Sequence, residues 1–193
     1  MKKIIIFLTL ISLLSINLCL AYGHEHETEL KEASKVEKIQ VYPELTKKHP
    51  PTTHFAIGFP IILLAIQILY LILKRKPDIV EFVILIASVL GVWLATATGL
   101  YVYYNMQEPT IKEAYEALEK HELLGILLSI IFLVLLALRI TYELIKDEKY
   151  KSLIRWAYVG IIFISVLLLF YQGYLGGVMV YEYGVGIIYQ YVM

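Results

Sequence analysis

Apolar residues in this chain fall into long blocks separated by short charged segments. Four blocks stand out: His54 to Leu73, Ile79 to Tyr104, Glu122 to Tyr142, and Ile154 to about Gly177. Each is close to the roughly 20 residues that a membrane-spanning helix needs. The pattern predicts an all-α integral membrane protein, with four transmembrane helices in an antiparallel bundle. An earlier stretch, MKKIIIFLTLISLLSINLCLA, has two lysines, an apolar core and then small or turn-forming residues near Ala21 to Gly23. That is the layout of a secretory signal peptide, residues 1–21, and its long core could also serve as an uncleaved anchor. Residues 22–48 are strongly charged and cannot bury a core of their own, so they are expected to form an exposed polar arm. The membrane domain is expected over 49–187, with 188–193 as a C-terminal tail.

Charge placement orients the bundle. Lys74, Arg75 and Lys76 lie in the first turn, and Arg139, Lys146, Lys149, Lys151 and Arg155 in or beside the third. The middle loop and the first residue of the third block together have only Lys112 and Lys120, against Glu108, Glu113, Glu116, Glu119 and Glu122. The positive-inside rule then puts the first and third turns in the cytoplasm and both mature termini outside. A multi-pass protein of the cell inner (cytoplasmic) membrane follows, with its ends on the periplasmic or extracellular side. Pro109, with Thr110 and Glu113 at capping-box spacing, predicts that the third helix starts outside the bilayer. From Ile111 to Ile145 it would run about 50 Å, so it should project or bend near Lys120.

Composition agrees with a bilayer setting, since 59% of residues are hydrophobic and 18% charged. Lys plus Arg and Asp plus Glu number 17 each, so no net charge points to nucleic acid. The single cysteine, Cys19, lies in the leader, which leaves the mature chain without disulfides, thiolate-held clusters or a covalent haem attachment. Between the interfaces the blocks carry Gln67 and a few Ser and Thr but no ionisable groups, which argues against a transporter or proton pump. No nucleophile with a neighbouring base and no phosphate-cradling loop is evident, so a stand-alone enzyme is not expected.

Counting depth along each block brings unusual residues to one outer layer. His54 and His121 open inward-running helices; Thr96, Thr98 and Gly99 sit high in the second; YQGYLGG at 171–177 sits high in the fourth. Gly173 and Gly177 have GxxxG spacing and Gly176 adjoins them, so a backbone or a flat ligand could approach there. Pro60 interrupts helix one below His54.

Three readings of the histidines stay open. In the first, His54 and His121 are axial ligands of a b-type haem, as neutral imidazoles from two helices at matched depth can clamp a flat iron porphyrin. Tyr171, Gln172 or Thr98 would then bond to the propionates or to a ligand imidazole, with Lys47, Lys48 or Lys120 as counter-charges. In the second, both are amphipathic residues at an interface and bind nothing, the protein being an accessory subunit of a larger membrane complex. In the third, His49 joins them in a three-histidine copper or zinc site. On this count His54 pairs with His121, and His49, ahead of the double proline, is peripheral. Separately, cleavage after Ala21 would leave Tyr22, Gly23 and His24 as a possible amino-terminal copper or nickel site in the HEHE arm.

HPPTTHFAIGFP at 49–60, ATGL at 97–100, KHELLG at 120–125 and GYLGGVMVYEYGVG at 173–186 together resemble the bacterial four-helix membrane family called domain of unknown function 2231. The resemblance covers about residues 47–187 and selects His49, Pro50, His54, Pro60, Thr98, Gly99, His121, Gly176, Gly177, Tyr181, Gly184 and Gly186. It implies the fold and the importance of these residues but no established activity. Members joined to, or near, electron-transfer modules favour the haem reading and a redox partner. Oligomeric state is left open.

Overall fold

A computed structural model describes residues 49–106 and 108–185. The expected leader, the arm with its HEHE segment, Lys47, Lys48, Gly186 and the tail lie outside the described residues. Four helices follow one another: α1 (His49–Ile72), α2 (Ile79–Asn105), α3 (Lys112–Leu144) and α4 (Glu148–Tyr181). All four are long and apolar enough to cross a membrane, and no strand occurs among the described residues.

Local chemistry sets where each helix begins. α1 starts with His49-Pro50-Pro51, five residues ahead of the apolar block. Proline is tolerated in a first turn, where its missing N–H would have had no partner anyway. The Thr52 and Thr53 hydroxyls close that turn by donating to the carbonyls of His49 and Pro50, each at 2.7 Å. At α2, extended Asp78 caps the helix by accepting from the amides of Val80 at 3.0 Å and Glu81 at 3.3 Å. At α4, Asp147 does the same for Lys149 at 2.8 Å.

α3 departs from expectation. Its cap is Ile111, with extended backbone and no side-chain capping bond, so the Thr110–Glu113 box does not form. Extension at Ile111 moves Thr110 one position out, beyond reach of the amide that a capping residue serves. α3 runs as one uninterrupted helix of 33 residues, about 50 Å, so it projects past the hydrocarbon.

α1 and α3 each pack against α2 and α4, and among the described residues the diagonal pairs meet through side chains, not through close backbone approach. The bundle centre is filled by Leu63, Leu85, Leu128, Phe132, Leu135 and Ile162, each at most 1% exposed. Apolar side chains such as Leu90, Leu94, Leu127, Phe163 and Leu167 cover the outside, as a lipid-facing surface requires. α1 and α2 approach closely at Gly91, where a Cβ would lie 3.1 Å from the Phe55 carbonyl group. A smaller apolar cluster of Ala117, Leu118 and Met179, with Tyr103, Met106, Tyr183 and Val185, joins the projecting ends of α2, α3 and α4. It stands directly beyond the histidine layer.

Candidate functional site

The site begins with the inward stripe of α1. Ala56, Pro60, Leu63, Gln67 and Tyr70 are buried, at steps of three and four residues. Continued toward the N-terminus, the same steps reach Thr52 and His49. His54 is five residues on from His49, which is about 140° around a helix of 3.6 residues per turn. With His49 facing in, His54 must face out. It is exposed, and its Nδ1 lies 2.8 Å from the Pro50 carbonyl of its own helix.

The histidine that meets His121 is therefore His49. Their ring centroids are 6.5 Å apart and the planes are nearly perpendicular, at 82°. This corrects the expected His54–His121 pairing and the peripheral place given to His49. The cause is the double proline, which forms the first helical turn instead of an extended lead-in. The three-histidine arrangement does not assemble either, since His54 points away. No group of three or more His, Cys, Asp or Glu suited to a metal ion occurs among the described residues.

α2 supports His49. Thr98 Oγ1 lies 3.0 Å from His49 Nδ1 and 3.1 Å from Thr52 Oγ1. The same hydroxyl has the carbonyls of Leu94 and Ala95 as acceptors for its one hydrogen, both at 3.0 Å. Back-bonding of this kind is the usual arrangement of a helical threonine. It leaves the Thr98 oxygen to accept from His49 Nδ1–H and assigns the tautomer whose Nε2 carries a free lone pair. Gly99 makes room for the ring: a Cβ there would sit 3.0 Å from His49 Cε1.

α3 and α4 support His121. Gln172 Nε2 donates to the His121 carbonyl at 2.9 Å. Gly176 lies beside the imidazole, where a Cβ would be 3.5 Å from Cε1. His121 Nδ1 and Gln172 Oε1 are both buried and find no hydrogen-bond partner in the structure. In a bilayer such orphaned polar atoms are costly. Next to them Ser129 donates to Thr96 at 2.9 Å, and Thr96 donates to the Gly125 carbonyl at 3.1 Å, which ties α2 to α3.

Of the other residues singled out, Gly173 faces outward with nothing within 4 Å of its would-be Cβ, and Gly177 is half-buried. Tyr171 is 49% exposed and stacks on Tyr174 at 6.3 Å, outside the histidine layer. Lys120 is engaged with Glu116 at 4.0 Å, beside a surface hollow of about 430 Å³. The glycines that matter thus fit the imidazoles themselves: Gly99 for one and Gly176 for the other.

Residues 48–188, which contain this whole layer, match the family model described as predicted membrane protein, DUF2231. The chain belongs to the DUF2231 family. No significant match was found among curated proteins or solved structures.

The DUF2231 bundle also carries a polar cluster at its other end, which the apolar pattern concealed. Glu81 and Arg139, 0% and 5% exposed, are joined by Arg139 Nε donating to Glu81 Oε2 at 2.7 Å. Tyr158 donates its hydroxyl to the other Glu81 oxygen. Arg139 Nη1 donates to Glu143 at 2.6 Å. Arg139 therefore does not belong with the free surface cations, because its charge is spent on two carboxylates. Sequence reading missed the pairing because 58 residues separate Glu81 from Arg139. Its one local trace is Glu143, a turn after Arg139.

Tyr70 donates to Asp78 at 2.8 Å, and Arg75 lies 3.0 Å away on the other oxygen. The Tyr70 hydroxyl above all, helped by the amides of Glu81 and Val80 and the Arg75 charge, holds the Asp78 carboxyl below its usual range against the opposing effect of burial.

Proposed function

We propose that this DUF2231 protein is a small electron-transfer protein of the cell inner membrane that holds the iron of a b-type haem between His49 and His121. The carrying observation is the placement of these two imidazoles on different helices with centroids 6.5 Å apart. At this spacing His49 and His121 would together hold a metal ion through nitrogen bonds of about 2 Å each. A bound haem would supply a one-electron couple, tuned by its axial ligands and the polarity around them.

The chain's own residues supply the rest. Thr98 holds His49 in the tautomer with an open Nε2, the outer shell that metal-binding histidines generally need. Gln172 fixes the backbone at His121, whose buried Nδ1 has an unmet bonding capacity that ligation would relieve. The apolar centre around Phe132 and Leu128 keeps water from passing between the layer and the opposite face. The bundle is read as antiparallel, with the basic turns in the cytoplasm and the histidine layer in the outer leaflet. A redox partner would then approach from the periplasmic or exterior side. This orientation rests on the excess of Lys and Arg at one end.

Purification of the full chain from haem-replete cells, followed by an absorption spectrum and metal analysis, tests the reading. A Soret band with one iron per chain supports it. Copper or zinc at one per chain, without a Soret band, would keep the histidine pair and replace the cofactor. A colourless, metal-free, well-folded protein refutes it and returns the chain to the rival class, a non-catalytic subunit packed against a larger membrane complex.

A further inference from the structure

The polar end of the bundle opens onto a hollow of about 340 Å³ between the start of α2 and the end of α3. Its walls are Ile79, Phe82, Ile140 and Leu144, of which Ile79 and Leu144 are 69% and 74% exposed. Arg139, Glu143 and Asp78 also line it. An amphipathic hollow at helix ends, in a chain with four spanning helices, lies at head-group level with acyl chains beside it.

Hydrogen-bond capacity specifies the occupant. A guanidinium has five N–H donors. Arg139 commits Nε–H to Glu81 and one Nη1–H to Glu143, and a third reaches only weakly toward the Asp78 carbonyl, at 3.5 Å. One hydrogen on each Nη is left over, and the Glu143 side chain, 59% exposed, accepts from Arg139 through Oε1 alone. The cluster thus presents spare cationic donors beside a spare anionic acceptor, with its net charge already negative. An anionic ligand would meet Glu143 unfavourably; a zwitterion carrying both phosphate and N–H donors complements both halves.

We propose that this hollow binds one phosphatidylethanolamine from the leaflet beside the turn that carries Lys74, Arg75 and Lys76. Its phosphate takes the uncommitted Nη hydrogens of Arg139, and its ammonium donates to Glu143. Its acyl chains lie along Ile79, Phe82, Ile140 and Leu144. The site is separate from the histidine layer and does not depend on any cofactor.

Native mass spectrometry of the full chain in detergent tests this, with phosphatidylethanolamine, phosphatidylcholine and phosphatidylglycerol of identical acyl chains titrated in turn. Choline carries no N–H, so loss of a charge-assisted hydrogen bond should weaken phosphatidylcholine about tenfold relative to phosphatidylethanolamine. Glu143→Gln, at an exposed carboxylate that leaves the Glu81 pair in place, should erase that preference while the protein stays folded. Ile140→Trp, which fills the hollow, should reduce binding of all three. Equal binding of ethanolamine and choline lipids, or tighter binding of phosphatidylglycerol, overturns the proposal.

Discussion

Thr98 is where the account of the histidine layer can be tested most finely. Replacing it with valine keeps the shape and removes only the hydroxyl. The Leu94 and Ala95 carbonyls still have their helix partners, so they lose little. His49 Nδ1–H, however, loses its hydroxyl partner at 3.0 Å and keeps only the nearby Ala95 carbonyl, and Thr52 loses a neighbour at 3.1 Å. Leaving a buried donor unpaired costs about 1–3 kcal/mol. Interhelical hydrogen bonds in membranes measure nearer 0.6 kcal/mol on average. His49 is half-buried, so about 1 kcal/mol is expected for Thr98→Val. Thr98→Ser should cost little. Two assays read this: denaturant unfolding in detergent for stability, and nitrogen NMR of labelled histidine for the tautomer. The wild type and Thr98→Ser should show His49 protonated at Nδ1, and Thr98→Val should show a mixed population. A wild-type His49 protonated at Nε2, or unchanged stability and tautomer in the valine variant, would refute the role given to Thr98.

Three further outcomes follow from the geometry. Glu81→Leu, which leaves buried Arg139 with only the exposed Glu143 as counter-charge, should lower stability by about 3 kcal/mol, and adding Arg139→Met should recover at least half; equal losses in both variants would contradict a compensated pair. Gly99→Ala should destabilise by about 1–2 kcal/mol and disturb the His49 ring signal, while Gly176→Ala, with ordinary contact distance to His121, should be neutral or slightly stabilising. Asp78 has a depressed folded pKa, so its contribution is fully present above its unfolded value near 4 and is lost as pH falls through the folded value. Thermal unfolding between about pH 2 and 6 should accordingly show an acid-side loss that Asp78→Asn flattens and Tyr70→Phe shifts toward higher pH.

Much of this architecture was legible in the sequence because a bilayer imposes one dominant rule. Four apolar blocks of spanning length could only be helices, and counting residues from the charged turns placed Thr98, His121 and Gly176 in one layer. What failed was rotation about the helix axis at the α1 entry. Pro50-Pro51 reads as an extended turn, and only by running the Ala56, Pro60, Leu63, Gln67, Tyr70 stripe backward does His49 come to face inward and His54 outward. The Glu81–Arg139 pair was hidden for a different reason. Charges near the ends of apolar blocks look like head-group anchors, and nothing local reveals that two of them meet inside the bundle. The α3 start shows the limit of motif spacing, since Thr110 and Glu113 have the right separation but Ile111 takes the capping position.

In the proposed centre His49 and His121 are the paired imidazoles and His54 has no part. Matched absorption spectra and metal contents of His49→Ala, His121→Ala and His54→Ala, purified alongside the wild type, test it most directly. The bound metal or haem should be lost in the first two variants and kept in the third. Loss with His54→Ala and retention with His49→Ala would contradict it.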